Sequence, residues 1–526
     1  MEQKIAQDTA DFRELREKGF VYVDKTEPLY RLVEGFDIGG KLFFISRPRR
    51  FGKSLMLSTL ECIFRGEREL FKGLAIDKMD YDWAEYPILH FNFATMDVTT
   101  LAGFQNAFLE RVTQTFQGAK VDYDPTWTPA GNFAKAIKTL AAERGKPVVI
   151  LIDEYDAPVG ATLDDIEKAK AIRAILSAFY GEIKNNASNI RFMMMTGVTR
   201  FTQLSVFSAL NNLNDLTMDS RYATLLGYTE EELEANFSPS LHAHAEVMGL
   251  SYQDYRAELR RWYNGYRFAK NSAVRVYNPV AIAKTIGPKE PFFAPTWSKT
   301  GRSSALINYL TMHDIDGRDY ENIRGVTETA LDICRLEALT PIAMLYQGGY
   351  LTIKDFKNPL FTLGIPNEEV RLDLNSLLLQ YAAQEEGGET FRDTTCFSLM
   401  EADFETFFAQ LRALYAHLPY GSTETRVPEA AYQRVLYVLL ASWSPFRVTA
   451  EDRQAQGRAD IVAESDERDF VFELKVDKTA AEALAQIKES GYAEPYRALG
   501  KPIHLIGLNF ASATHSLADT VVEALA

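Results

Sequence analysis

The sequence predicts an α/β protein, with one α/β unit at each end and a mainly helical stretch between them. Three observations predict it. Short apolar runs alternate with longer helical segments up to about residue 230. From about 230 to 420 the helical periodicity dominates, and from about 421 a second strand and helix alternation begins. A chain of 526 residues is also several times a typical domain, so a single core is not expected. We therefore place domains at 1–230, 231–420 and 421–526.

In the first part, strands are expected at 42–45, 88–93, 148–152 and 192–196, with helices near 54–64, 101–117, 131–144 and 166–184. Each crossover is long enough for a helix, which favours a parallel sheet. The run Val148-Val149-Ile150-Leu151-Ile152 has no polar residue, as a central strand covered on both faces requires. The middle part carries the turn clusters Trp262-Tyr263-Asn264-Gly265-Tyr266 and Tyr277-Asn278-Pro279. Residues 347–353 read as a tight turn into a strand, suiting a small wing packed on helices, and 418–422 read as a linker. The last part is expected to form an apolar helix at 429–442, strands at 458–464 and 469–476, a helix near 478–491 and a strand at 503–508.

Composition narrows the function. Hydrophobic residues make up 46% and charged residues 25%, which excludes disordered, collagenous and coiled-coil chains. No apolar run reaches the roughly 18 residues of a spanning helix, and residues 1–12 lack the features of a signal peptide, so a cytoplasmic protein without a membrane partner is expected. The net charge of −15 means that any grip on nucleic acid must be local. Cys62, Cys334 and Cys396 are too scattered for a disulfide framework or a thiolate cluster, and the His242/His244 spacing does not put two ligands on one helical face.

Two constellations carry chemistry. The first strand runs into Ser46-Arg47-Pro48-Arg49-Arg50-Phe51-Gly52-Lys53-Ser54, and a helix opens there. In such a strand, loop and helix, backbone N–H groups and the helix dipole face a phosphate, Lys53 reaches the outer phosphates and Ser54 holds Mg²⁺. Arg49, Arg50, Phe51, Gly52, Lys53 and Ser54 are thus the candidate nucleotide-phosphate loop, and the arginines either reinforce phosphate binding or touch a neighbouring subunit. The other half of the site is Asp153-Glu154-Tyr155-Asp156 at a strand tip, Asp153 for the Mg²⁺ shell and Glu154 to activate the attacking water. The strand at 88–93 lies between these halves in sequence, which fits nucleotide hydrolases that insert a strand between the two tips; Arg200 is a candidate γ-phosphate sensor.

The second constellation is Asp460 with Glu473-Leu474-Lys475. Strand alternation puts Glu473 and Lys475 on one face, and a four-residue hairpin at 465–468 sets Asp460 opposite Glu473. Two opposed acids read as a Mg²⁺ site of oxygen ligands, with Lys475 beside it to position or activate a water that attacks a phosphodiester. Glu429 and Gln486 are candidate supporting groups.

These motifs, with Tyr22-Val23-Asp24-Lys25-Thr26 and Thr196-Gly197-Val198-Thr199-Arg200, resemble bacterial AAA-ATPase-like proteins, and Gly457-Arg458-Ala459-Asp460-Ile461 with Glu473-Leu474-Lys475 is similar to the PD-(D/E)XK nuclease superfamily domain. The resemblance implies a P-loop NTPase sheet, a helical lid or winged-helix-like middle and a restriction-endonuclease-like C-terminal domain. It implies ATP and Mg²⁺ as cofactors and nucleic acid, DNA first, as substrate. Where the resemblance leads us to expect a histidine after Tyr432, the chain has Gln433. The rival readings are a non-catalytic ATP-dependent switch or scaffold whose nuclease-like domain only docks, and an oligomeric remodeller whose arginines act in trans.

Overall fold

The computed structural model describes residues 3–7, 9–199, 212–289, 292–296, 317–332, 339–383, 388–416, 428–454, 457–498 and 500–525. Two compact units divide the chain: Met1–Tyr309 with Asn322–Glu368, and Leu310–Glu321 with Glu369–Ala526. The stretch 231–420, expected as one region, is shared between them.

The first unit is built on a parallel sheet of β1 (Leu42–Ser46), β2 (Ile88–Asn92), β3 (Val148–Asp153), β4 (Ile190–Gly197) and β5 (Asn214–Asp215), in the order β2-β3-β4-β1-β5. Helices α1 (Lys53–Phe64), α2 (Leu101–Gly118), α3 (Pro129–Arg144) and α4 (Ile166–Asn185) fall where the apolar periodicity puts them. The sequence reading sets 88–93 between the two functional tips; the structure sets β4 there and β2 at the edge. Burial explains the difference. Every residue of β1 and β3 is buried and β4 has six buried residues in succession, whereas β2 alternates, as a half-covered edge does. Register then places Ser46 of β1 beside Gly197 of β4, and Ile152 of β3 beside Met195, so three strand tips emerge together.

The unit continues with α5 (Glu230–Val247), α6 (Tyr252–Tyr263), α7 (Pro279–Ile286) and α8 (Pro341–Gly348), and with a small sheet of β6 (Ile323–Val326), β7 (Thr352–Lys357) and β8 (Leu360–Gly364) in the order β6-β8-β7. Residues 347 and 348, expected as part of a turn, are the last turn of α8; left-handed Gly349 ends that helix just before β7. His242 stacks on Tyr252 with centroids 3.8 Å apart while His244 is buried, so the two histidines serve packing.

The second unit is a mixed sheet of β9 (Arg447–Gln454), β10 (Gly457–Glu464), β11 (Asp469–Val476), β12 (Ile503–Ala511) and β13 (Ser516–Leu525), in sequential order with only β11 and β12 parallel. Helix α9 (Glu429–Ala441) packs on β9–β11 and α10 (Ala480–Glu489) on β11–β13. A Cβ on Gly507 would lie 2.3 Å from the Ala480 carbonyl oxygen, so β12 carries no side chain where α10 crosses it. The outer strands β9 and β13 are absent from the sequence reading: β9 ends in Glu451-Asp452-Arg453-Gln454, and β13 is mostly half-exposed. Both sit at sheet edges, where the apolar signal is weak. Cys62 and Cys396 are buried thiols. The expected linker, Cys334 and Arg200 lie outside the described residues. Among those described, no helix is long and apolar enough to cross a membrane.

Candidate functional site

At the end of β1 the chain turns through Arg47–Phe51 and enters α1 at Gly52, whose φ of 90° is the left-handed conformation that glycine adopts without a Cβ penalty. Lys53 is only 4% exposed. Its Nζ donates to the carbonyls of Arg47 at 3.0 Å and Pro48 at 3.2 Å and lies 3.2 Å from Glu154 Oε1. Ser54 Oγ donates to Asp153 Oδ2 at 2.6 Å, joining groups 99 positions apart in sequence. The other oxygen, Oδ1, accepts from Thr196 Oγ1 at 2.6 Å, so β4 contributes to the same carboxylate. Ammonium, hydroxyl and two acids thus converge at the positive end of a twelve-residue helix, a setting in which an anion is stabilised. Arg50 and Glu154 both hold left-handed backbone, with φ of 70° and 52°, a cost commonly met where side chains are aimed for function.

The loop is held from behind. Arg47 is buried, donates to the carbonyls of Ser46, Thr217 and Tyr222, and lies 4.2 Å from the Phe268 ring centre. That corrects the expectation that this arginine reinforces phosphate binding or touches another subunit, because its charge faces inward carbonyls. Phe51 likewise packs its ring on Tyr266 and Phe268, at 4.8 and 5.2 Å, so its side chain anchors the loop. Asn278 donates to the Arg49 carbonyl at 3.4 Å while capping α7, and Arg50 donates to the Thr296 carbonyl at 2.8 Å. The two turn clusters of the middle sequence therefore brace the loop, a role that local pattern could not reveal.

A cavity of about 220 Å³ opens beside Arg50, Lys53, Ser54 and Glu154 and continues between apolar walls that include Ala10, Val23, Leu226 and Val280. Tyr22 and Lys25 also line it, with Lys25 Nζ donating to the Thr224 carbonyl at 2.7 Å and to Glu232. At the acidic tip, Asp156 accepts the backbone N–H of Val198 at 3.2 Å and of Thr199 at 2.6 Å, and the Thr199 hydroxyl. Burial, and then the neighbouring Glu154, push the Asp156 carboxyl above its ordinary range. Gly197 permits this approach, since a Cβ there would lie 2.5 Å from Asp156 Oδ1 and from the Tyr155 ring.

In the second unit the β10–β11 register runs from Glu464↔Asp469 to Ile461↔Phe472, the register that a four-residue hairpin dictates. One step further along, Asp460 Oδ2 accepts the Leu474 N–H at 2.8 Å. Glu473 is 1% exposed and Lys475 8%. Lys475 Nζ donates to Glu473 Oε1 at 2.7 Å and to the Leu474 carbonyl at 3.0 Å, while Glu473 Oε2 is buried with no hydrogen-bond partner among the described residues. Burial first, and the charge of Asp460 second, lift the Glu473 carboxyl to about 7. Asp460 is raised by burial too, against the Leu474 N–H and Lys475. The Lys475 ammonium is held above its ordinary range because Glu473 outweighs the opposing burial.

Glu429, on α9, adds a minor repulsion to both carboxylates. Gln433, where we expect a histidine, is buried on α9 and its Oε1 accepts from Arg318 Nη1 at 3.2 Å. Gln486 is half-buried on α10 and has no hydrogen bond to these groups among the described residues. No set of three or more His, Cys, Asp or Glu side chains among the described residues could hold a metal. The two carboxylates Asp460 and Glu473 remain, and Mg²⁺ commonly takes one or two carboxylates and keeps waters. The orphaned Glu473 Oε2 fits such an ion.

Comparison with known proteins agrees with this division. The family described as Predicted AAA-ATPase matches residues 7–207, and the PD-(D/E)XK nuclease superfamily matches residues 427–519. A protein of Azotobacter chroococcum mcd 1, described as an uncharacterized protein in the vnfD 5' region, is 34% identical over 528 aligned residues, covering 98% of each chain. No solved structure matches the chain.

Proposed function

The chain belongs to the AAA-ATPase-like family and carries a C-terminal PD-(D/E)XK nuclease superfamily domain, and on that premise we propose that it binds and hydrolyses ATP in its first unit and cleaves phosphodiesters with Mg²⁺ in its second. One observation carries this reading: in each unit a buried lysine lies beside a carboxylate, 3.2 Å away for Lys53 and Glu154, just after β3, and 2.7 Å for Lys475 and Glu473, both within β11. In the first unit the apolar cavity receives the nucleoside, Lys53 and the loop N–H groups take the phosphates, and Glu154 accepts a proton from the attacking water. Mg²⁺ would be held by Ser54 and Asp153, whose oxygens already meet at 2.6 Å. In the second unit Asp460 and Glu473 would hold Mg²⁺, and Lys475 orients the water and faces the developing negative charge. Bound there, the ion supplies charge neutralisation at the phosphate.

Two assays test the proposal. Plasmid DNA is incubated with Mg²⁺ and ATP; cleavage that survives Glu473→Ala removes the nuclease assignment. Labelled ATP is titrated against wild type and Lys53→Ala; equal binding removes the nucleotide assignment. The rival docking reading, in which neither unit turns over, is favoured by the net charge of −15 and predicts ATP binding without either product. Mass measurement with and without ATP tests the homo-oligomer.

A further inference from the structure

The carboxylate of Asp153 is gripped from two elements of the first unit. Register sets Ile152 of β3 beside Met195 of β4, which brings the next pair, Asp153 and Thr196, side by side where the strands end. Thr196 Oγ1 donates to Asp153 Oδ1 and Ser54 Oγ to Oδ2, each at 2.6 Å. Asp153 is 1% exposed and Thr196 is fully buried. The apolar run Phe192-Met193-Met194-Met195 precedes this threonine, and a hydroxyl shut away there is costly unless it is hydrogen-bonded. Its bond to Asp153 offsets that cost.

An aspartate needs such restraints to keep one orientation, because the torsion that turns its carboxylate is broad and roughly two-fold. One hydroxyl on each oxygen, from the start of α1 on one side and the tip of β4 on the other, fixes the plane of the group. A carboxylate accepts about four hydrogen bonds, so these two leave capacity for the water shell of a metal ion. The backbone of Thr196 acts as well. Its carbonyl accepts the Tyr155 N–H at 3.0 Å, and the next carbonyl, that of Gly197, accepts the Arg47 N–H at 3.1 Å. Thr196 therefore holds the residue before Glu154 through its side chain and the residue after it through its carbonyl. Glu154, between them, has the left-handed φ of 52°, a conformation that persists only where its surroundings enforce it.

We infer that Thr196 is a positioning residue of the nucleotide site: its hydroxyl sets the orientation in which Asp153 meets the water shell of Mg²⁺, and its carbonyl holds the turn that aims Glu154. The inference rests on the ATP-hydrolysing reading above and adds to it a side chain that is asked to touch neither nucleotide nor metal. A hydroxyl that donates to Asp153 acts through that carboxylate, so its loss falls on metal affinity and not on the chemical step once metal is saturating. Partners of this kind are typically worth about 10–100-fold in metal affinity or activity.

The test uses the full-length protein as wild type, Thr196→Val, Thr196→Ser and Asp153→Asn. Valine is β-branched like threonine and keeps the backbone bonds, so Thr196→Val deletes the hydroxyl and little else. ATP binding is titrated in chelator and then with rising Mn²⁺, and ATP turnover is followed against Mg²⁺. Thr196→Val should bind metal-free ATP as wild type does, need about 10–100-fold more of either metal for half its effect, and turn over near the wild-type rate once metal is saturating. Thr196→Ser, which restores the hydroxyl, should stay close to wild type. An unchanged metal requirement in Thr196→Val, or a turnover loss that persists at saturating metal, overturns the inference. Where Thr196→Val does not fold, Thr196→Ala compared with Thr196→Ser isolates the same hydroxyl and decides the matter. Asp153→Asn separates the two levels. Absence of ATP binding in wild type, or a metal requirement indifferent to both Asp153→Asn and Thr196→Val, brings down the nucleotide reading and the inference with it; a requirement raised by Asp153→Asn but indifferent to Thr196→Val overturns the inference alone.

Discussion

Replacing Glu473 by Gln pits function against stability at one side chain. Glu473 is almost wholly buried, and its carboxyl is lifted from an ordinary 4.5 to about 7, by burial first and Asp460 second, despite Lys475 at 2.7 Å. A carboxyl whose folded pKa lies above its unfolded value binds its proton more tightly when folded, so ionisation destabilises the fold. The penalty is absent below about pH 4.5, grows as pH rises and is complete above about pH 7. One pKa step is worth about 1.36 kcal/mol, which makes the full penalty ~3 kcal/mol. Gln mimics the neutral acid at every pH. Metal-free Glu473→Gln should therefore match wild type near the low end of that window and exceed it by ~3 kcal/mol at about pH 8. The chain has two units and hence no single unfolding free energy, so the assay is hydrogen exchange at the β11 amides, in chelator, across that pH range. Added Mg²⁺ should close the gap by stabilising wild type alone, while the variant cleaves no plasmid. Equal β11 protection in the two proteins at all pH values would refute the reasoning.

Glu154→Gln removes the carboxylate beside Lys53 but leaves Ser54 and Asp153 joined, so ATP should still bind while phosphate release falls about 10²–10⁴-fold; undiminished release counts against Glu154 as base. Gly197→Ala forces a methyl to 2.5 Å from Asp156 Oδ1 and the Tyr155 ring and should cost about 1–3 kcal/mol, read as lost hydrogen-exchange protection at the β4 amides. Phe51→Ala strips the phosphate loop of its packing on Tyr266 and Phe268, with an expected loss of about 3–5 kcal/mol, read as lost hydrogen-exchange protection in the first unit, and weaker ATP binding; unchanged protection and binding would show that the anchor is dispensable.

Signals confined to neighbouring residues were enough for much of the fold and part of the site. Val148–Ile152 reads as the body of a central strand because its five apolar positions have no polar face to show, and the α1–α4 spans follow the apolar stripe that a helix must bury. The register that sets Asp460 against the Glu473 strand follows from the hairpin length, since strand period and turn length are both local quantities. Edge strands escape such reading because only part of their surface is covered, as in β9 and β13.

The amino-acid order alone determined two α/β units, the lysine and serine that open α1, and the acids that end β3 and face each other across β10 and β11. Tertiary structure decided what no short window contains: that β4 lies between β1 and β3, that Arg47 and Phe51 turn inward as braces, and that Arg318 reaches Gln433 from 115 positions away. The reason is physical. Periodicity and turn chemistry are set by a few consecutive residues, whereas the partner of a buried arginine or a buried amide is chosen by which distant surfaces meet when the apolar faces leave water.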